Sequence, residues 1–141
     1  MRKTVLLTIV MASCTSLFSQ TKDMNEKPVI YQVMTRLFGA NSQHNVEWGS
    51  AEQNGCGKMA DFTQRALQQI RDLGCTHIWY AGVIEHATQA DYSAFGIVLD
   101  HASVVKGRAG SPYAIKDYYD VNPDLATHVP FRMKEFENLV R

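Results

Sequence analysis

Two short apolar runs, separated by an amphipathic stretch, set the pattern of the chain. Positions 28–38 read PVIYQVMTRLF and positions 75–84 read CTHIWYAGVI, and both runs are rich in β-branched and aromatic residues. Runs that are apolar at successive positions are typical of strands buried on both faces of a parallel sheet. Each run is therefore predicted to form a buried strand.

The stretch between the two runs has the spacing of a helix. Asp61 with Gln64 predicts an N-terminal capping box, and Gly74 suits the left-handed position that ends a helix. The strand, helix and strand are expected to form one βαβ unit with parallel strands and a right-handed crossover. Apolar residues recur at intervals of three to four positions on the face that is predicted to be buried: Phe62, Ala66, Ile70 and Leu73.

The segments around this unit are less periodic. Residues 39–58 form a loop rich in Gly, Asn, Ser and Gln, and loops of this length are commonly functional. Residues 85–127 are predicted to be mainly an irregular excursion, punctuated by Gly and Pro. A second helix is predicted with Pro130 at its first position. Its apolar stripe consists of Met133, Phe136, Leu139 and Val140.

Composition places the chain among globular proteins. Of its 141 residues, 45% are hydrophobic and 20% are charged, and 14 Lys and Arg balance 14 Asp and Glu. These values are those of one ordinary domain. A chain without net charge gives no electrostatic reason to expect nucleic acid or an anionic membrane as partner.

The N-terminus has the features of a secretory signal peptide. Two basic residues precede the apolar run VLLTIVMA at 5–12, which is far shorter than the roughly 20 residues that span a bilayer. Removal of residues 1–19 would leave a linker at 20–27 and a free exported protein, periplasmic or extracellular. The sequence VMAS before Cys14 also resembles a bacterial lipobox, and lipid at Cys14 would instead hold the protein on a membrane.

Two further cysteines, Cys56 and Cys75, remain after such processing. An exported protein could oxidise them to a disulfide. Because Cys75 begins a predicted buried strand whereas Cys56 lies in a glycine-flanked loop, two free thiols are expected. The chain has no Cys-x-x-Cys motif and no Cys and His residues with the spacing of metal ligands.

Three segments resemble, in order, the start of the catalytic domain of the α-amylase family, glycoside hydrolase family 13. Positions 29–39, VIYQVMTRLFG, are similar to the first strand of that family. Positions 62–86, FTQRALQQIRDLGCTHIWYAGVIEH, resemble its first helix and second strand. Positions 111–126, SPYAIKDYYDVNPDLA, resemble the segment after that strand. The resemblance covers 28–141 and implies an α/β fold, the N-terminal portion of a (β/α)8 TIM barrel.

The resemblance implies a secreted retaining glycosidase that cuts α-glucans or maltooligosaccharides with a pair of carboxyl groups. Family members carry those groups on later strands. We therefore expect no catalytic residue and no cofactor within this chain, which alone would be inactive, and calcium only in a whole enzyme. The alternative is an inactive truncated remnant or a weak carbohydrate-binding fragment.

Three residues are candidate substrate contacts by this resemblance. Tyr113 matches the Tyr that family members place beneath the sugar at the cleaved position, and an aromatic ring suits the C–H face of a sugar. Many family members have a His two positions before this Tyr. This chain has Ser111 at that position, which removes one expected sugar contact. Asp117 matches a residue with a supporting role, and His86 either lines the site or ends a turn. For Tyr113 the alternative is packing of the loop onto the barrel.

Other residues have simpler expected roles. Trp79 and Tyr80 point to opposite faces of the predicted strand, and at least one is expected to pack in the core. His77, in the same strand, is expected to be a core residue. Trp48 in the first long loop is a candidate outer platform for sugar. The stretch GRAGSP at 107–112 lacks the spacing of a phosphate-binding loop.

Overall fold

A computed structural model describes residues 27–43 and 45–141. The predicted signal peptide, Cys14 and most of the predicted linker lie outside the described residues. The strands and helices are β1 Ile30–Met34, α1 Gln64–Asp72, β2 His77–Ala81, β3 Ile84–His86, β4 Ile115–Val121 and α2 Arg132–Val140. Short 3-10 helices lie between them at Thr35–Leu37, Met59–Asp61, Ser93–Phe95, Ala102–Val104, Pro123–Leu125 and Val129–Phe131.

β1 and β2 pair in parallel, as the sequence predicts for the βαβ unit. Ile30 lies opposite His77, and Met34 lies opposite Ala81. The expected burial on both faces is wrong, because exposed positions alternate with more buried ones along both strands. His77, predicted to lie in the core, is also exposed. The reason is that this sheet has two strands among the described residues, and so narrow a sheet leaves its edges and much of its faces open to solvent.

The second apolar run does not form a single strand. Gly82 follows β2 with a φ of 82°, and β3 begins two residues later in a different sheet. Glycine adopts positive φ without the steric cost that a side chain brings, so the chain can turn sharply at this point. The run therefore divides between two sheets.

Part of the predicted excursion is regular. β3 and β4 form an antiparallel ribbon in which Glu85 lies opposite Asp117 and His86 lies opposite Ile115, with irregular steps in the register. The prediction of an irregular segment is wrong over β4. Four of the seven side chains of β4 are exposed in succession, so the strand lacks the alternating pattern that would identify it in the sequence.

α1 begins later than the sequence predicts. Its N-cap is Thr63, not Asp61, because the Thr63 hydroxyl accepts the backbone N–H of Ala66 at 3.2 Å. Asp61 instead accepts the backbone N–H of Lys58 at 2.6 Å, in the preceding 3-10 turn. Gly74 has a φ of 87°, as expected for the residue that ends this helix.

α2 also begins later than predicted, at Arg132, because Pro130 lies in the 3-10 turn ahead of it. Of its predicted stripe, Phe136 and Leu139 pack against the core. The other two members of the stripe are exposed, as is Leu73 at the end of α1. Each helix therefore buries a narrower face than its apolar spacing suggests.

A small core lies where the end of β2, the ribbon and α2 meet. Beside it, Phe62 stacks on Phe38 with ring centroids 4.0 Å apart, and Tyr80 meets Phe62 edge-on at 4.9 Å. Tyr80 thus packs inside, as expected for at least one of the two aromatic residues, while Trp79 is 56% exposed. The core cluster consists of Met59, Val83, Val121, Leu125 and Ala126, with Tyr80, Phe136 and Leu139 packed against it.

Candidate functional site

The β3–β4 ribbon carries the three residues predicted to contact substrate. Tyr113 lies just before β4, Asp117 lies within it, and His86 ends β3. The segment that leads into β4 packs closely against the end of β2. A Cβ placed on Gly82 would lie only 3.1 Å from the Cβ of Pro112. The chain therefore brings the three residues to the carboxyl-terminal end of the parallel strands.

Tyr113 and Asp117 face outward from this ribbon. The Tyr113 residue is 75% exposed, and its backbone N–H donates to the Ser111 hydroxyl at 3.3 Å. The carboxylate of Asp117 accepts the backbone N–H of Tyr119 at 2.7 Å. Tyr113 thus presents its ring to solvent, while Asp117 holds a local turn of β4.

His86 is almost completely buried. Its Nδ1 lies 3.3 Å from the Ile84 carbonyl oxygen, and its Nε2 lies 3.1 Å from the Ala109 carbonyl oxygen. A neutral imidazole carries one N–H and can donate to only one of these carbonyls at a time. The ring borders a cavity of about 20 Å³ near the ends of β1 and β2, which has room for a water molecule but not for a sugar.

Glu85 is the most buried acid of the ribbon, at 4% exposure. Burial raises the pKa of Glu85, and the charges of Asp120 and Asp117 raise it further, whereas Lys116 lowers it. The Nζ of Lys116 lies 3.7 Å from the Glu85 carboxylate. Glu85 is therefore a buried acid beside a lysine and not a carboxylate facing solvent.

Lys116 joins the ribbon to the preceding loop. Its Nζ lies 3.1 Å from the Asp100 carboxylate and donates to the Val98 carbonyl at 2.5 Å. Asp100 also accepts the backbone N–H of Thr88 at 3.0 Å. A sequence of this kind gives no signal for such a cluster, because its members lie in segments without periodicity.

A second buried carboxylate, Asp124, lies after the ribbon and is 4% exposed. It accepts Nη2 of Arg36 at 2.8 Å and the hydroxyl of Tyr92 at 2.5 Å. Lys58 Nζ donates to its backbone carbonyl at 2.7 Å. Burial, together with the hydrogen bond and charge of Asp124, raises the pKa of the Tyr92 hydroxyl. This network links the 3-10 turn after β1, the loop at 39–58, the segment between β3 and β4, and the 3-10 turn after β4.

The loop at 39–58 and the segment at 87–114 surround a cavity of about 480 Å³, which we call the loop cavity. Its wall mixes polar and apolar surface and carries charges of both signs. Trp48, which precedes the wall residue Gly49 in the sequence but does not itself line the cavity, has a φ of 57°. Residues that line the cavity include Arg36, Ser50, Glu52, Asp91, Tyr92, Arg108 and Asp124.

The described residues hold neither a metal cluster nor a membrane-spanning helix. Within 27–43 and 45–141, no group of three or more His, Cys, Asp or Glu side chains is arranged to hold a metal ion. Cys56 and Cys75 are free thiols, as expected. In the described part of the chain, no helix is long and apolar enough to cross a membrane.

Comparison with known proteins adds no functional information. No family model, no curated protein and no solved structure matches this chain significantly.

Proposed function

We propose that this chain forms the opening strands and loops of an exported α-glucan hydrolase, a retaining glycosidase of the α-amylase type. In this proposal the catalytic carboxylates come from later strands of the same barrel, and the chain alone does not cleave glycosidic bonds. The observation that carries the proposal is the position of Tyr113, an exposed aromatic residue next to Pro112, which packs against Gly82 at the carboxyl-terminal end of β2.

Two features support this role for Tyr113. Enzymes with (β/α)8 barrels build their active sites at the carboxyl-terminal ends of the parallel strands. The parallel order of β1, α1 and β2 is that of the first units of such a barrel. An exposed phenol ring at this end offers a sugar an apolar face to stack on.

A noncatalytic carbohydrate-binding role is the second candidate. It is favoured by the same exposed ring, since stacking on a sugar needs no carboxylate pair. Turnover separates the two candidates: the first requires that the full-length protein hydrolyse maltooligosaccharides, whereas the second requires binding without hydrolysis.

The test compares Tyr113→Ala with Tyr113→Phe in the full-length protein. A stacking role predicts that Phe retains most of kcat/KM on maltoheptaose and that Ala loses about tenfold or more. Tyr119→Ala is the matched control, because Tyr119 is exposed in the same ribbon. If Tyr113→Ala keeps wild-type kcat/KM and only melts at lower temperature, Tyr113 is a packing residue and the proposal loses its main support.

A further inference from the structure

We propose that His86 is a positioning residue for Tyr113: its ring Nε2–H holds the Ala109 carbonyl and thereby fixes the turn that carries the tyrosine. In this role the imidazole acts on substrate through the turn and not by direct contact. The link to catalysis rests on the proposed function, in which Tyr113 stacks on the sugar. The link between the ring and the turn rests on the hydrogen bonds around them.

Tyr113 occupies the third position of a tight turn over 111–114. The Ala114 backbone N–H donates to the Ser111 carbonyl at 2.9 Å, which is the bond that closes a β-turn. Pro112 fixes φ at the second position, and the Ser111 hydroxyl accepts the Tyr113 backbone N–H at 3.3 Å. Because these constraints lie within the turn, the turn is rigid in itself. The place of the Tyr113 ring therefore depends on how the turn is attached to the rest of the protein.

Two hydrogen bonds attach the turn to the end of β3, one on each side of it. On the far side, the Ala87 backbone N–H donates to the Ala114 carbonyl at 3.1 Å. On the near side, His86 Nε2 lies 3.1 Å from the Ala109 carbonyl oxygen. The first bond is made by backbone atoms alone and does not depend on side chains. The second depends on one imidazole, so that a single substitution can release this side of the turn.

Gly110, between Ala109 and the turn, makes the imidazole contact important. Its φ is 74°, and glycine has more backbone freedom than any other residue. A Cβ at Gly110 would lie 3.2 Å from Cδ2 of His86, so the ring packs directly against this backbone. The chain just before is already fixed, because the Arg108 carbonyl accepts the Gln89 backbone N–H at 2.8 Å. The position of the turn is therefore decided at Ala109 and Gly110, where the imidazole lies.

The tautomer of His86 determines which carbonyl the ring holds. The residue is 3% exposed, and its Nδ1 lies 3.3 Å from the Ile84 carbonyl oxygen, two residues back in the same strand. A neutral imidazole has a single N–H to donate. A proton on Nε2 serves the shorter contact and joins two segments that are 23 positions apart. In this arrangement the proton lies on Nε2, since a proton on Nδ1 would leave the Ala109 carbonyl without its donor.

Substitution by Gln and by Asn separates the two nitrogens of the ring. The Gln amide places an N–H near the position of Nε2 and reaches Ala109, whereas the shorter Asn amide reaches only the position of Nδ1. In the full-length protein, His86→Gln should keep kcat/KM on maltoheptaose within about threefold of wild type. His86→Asn should lose about tenfold or more, because a displaced Tyr113 ring no longer fits the transition state. His77→Asn, the same change at an exposed histidine, should leave kcat/KM unchanged.

A double-mutant cycle tests whether His86 acts through Tyr113. All variants are assayed well below their melting temperatures, so that the folded fraction does not enter the comparison. If the turn is the route, His86→Asn should cost nothing further in a Tyr113→Ala background. An undiminished loss in that background would overturn the inference. Equal losses in His86→Gln and His86→Asn would also overturn it, and so would wild-type kcat/KM in His86→Asn.

Two measurements on the full-length protein require no turnover. Ring ¹⁵N chemical shifts of wild-type His86 report its tautomer, and an Nε2 without a proton would overturn the inference even if the variants failed to fold. Exchange of the Ala87 amide hydrogen should be about tenfold faster in His86→Asn and unchanged in His86→Gln. Hydrolysis that His86→Asn does not affect retains the enzyme and removes the positioning role. Faster exchange in His86→Asn of a protein that does not hydrolyse maltoheptaose retains the hold on the turn and removes the enzyme.

Discussion

At the scale of single residues, Asp124 shows how one buried charge connects segments that lie far apart in the sequence. Its partner Arg36 is 88 positions away, and its second partner, Tyr92, comes from a different loop. Removing one member of a buried ion pair leaves the other charge without compensation. The hydroxyl of Tyr92 adds a hydrogen bond but no opposite charge.

This arrangement predicts a graded series of stabilities. Asp124→Ala should lower the free energy of unfolding by about 3–5 kcal/mol, since it leaves Arg36 unpaired. Tyr92→Phe should lower it by about 1 kcal/mol, since the ion pair remains. Glu137→Gln, in an ion pair with Lys134 that is more than half exposed, should leave it essentially unchanged. Urea unfolding of the full-length protein, followed by circular dichroism, measures all three, and equal effects of Asp124→Ala and Glu137→Gln would show that Asp124 is not structurally important.

The candidate substrate contacts and this network differ in how far the sequence could reveal them. Tyr113 and Asp117 were predicted from a resemblance that extends along a continuous segment. Asp124 and Arg36 were not predicted, because no local spacing relates residues that meet only after folding. The strain at Trp48 was equally hidden, since nothing in the sequence specifies a backbone angle at a residue other than glycine or proline.

At the scale of elements, the geometry of the ribbon depends on a close backbone approach at Gly110. A Cβ at Gly110 would overlap the carbonyl oxygen of Ala87 and lie 3.2 Å from the His86 ring. Gly96 has nearly the same φ, 78° against 74°, but a Cβ there would meet nothing within 4 Å. The two glycines therefore differ in available space and not in backbone strain.

Gly110→Ala and Gly96→Ala form a matched pair for this element. Gly96→Ala should cost about 1 kcal/mol, the penalty of a left-handed conformation for a residue with a side chain. Gly110→Ala should cost at least about 2 kcal/mol more, because the backbone around Ala87 must also move. Thermal unfolding of both variants in the full-length protein measures the difference. Equal losses would show that the ribbon relaxes freely at this position and that the tight packing around His86 is unimportant.

Elements with a marked apolar period were predicted, and those without one were not. β1, β2 and α1 correspond to apolar runs and to a helical stripe, so their type and order could be inferred. β4 could not be predicted, because four successive polar and tyrosine side chains are exposed and the strand therefore has no apolar face. Boundaries were less accurate than element types: Thr63 and Asp61 are both suitable caps, and only the packing of the preceding 3-10 turn decides between them.

At the scale of the whole molecule, a broad apolar groove of about 590 Å³ runs beside β2. Ile30, Trp79 and Val140 line it, and all three are largely exposed. Isolated exposed apolar residues are common on proteins, but a continuous apolar groove beside an unpaired strand edge favours association. The continuous apolar runs of the sequence predict strands buried on both faces, whereas the described residues leave this side of the sheet open.

We therefore predict that the 141-residue chain, expressed alone, associates at micromolar concentration and unfolds in a broad transition. Ile30→Lys places a charge in the groove and should increase the monomer fraction in analytical ultracentrifugation. Leu99→Lys is the matched control, since Leu99 is exposed to a similar extent but does not line the groove, and it should associate as the wild type does. A wild-type chain that is monomeric and melts sharply would contradict the prediction, because the exposed apolar groove would then not cause association. If both lysine variants dissociated the chain equally, net charge and not the groove would control association.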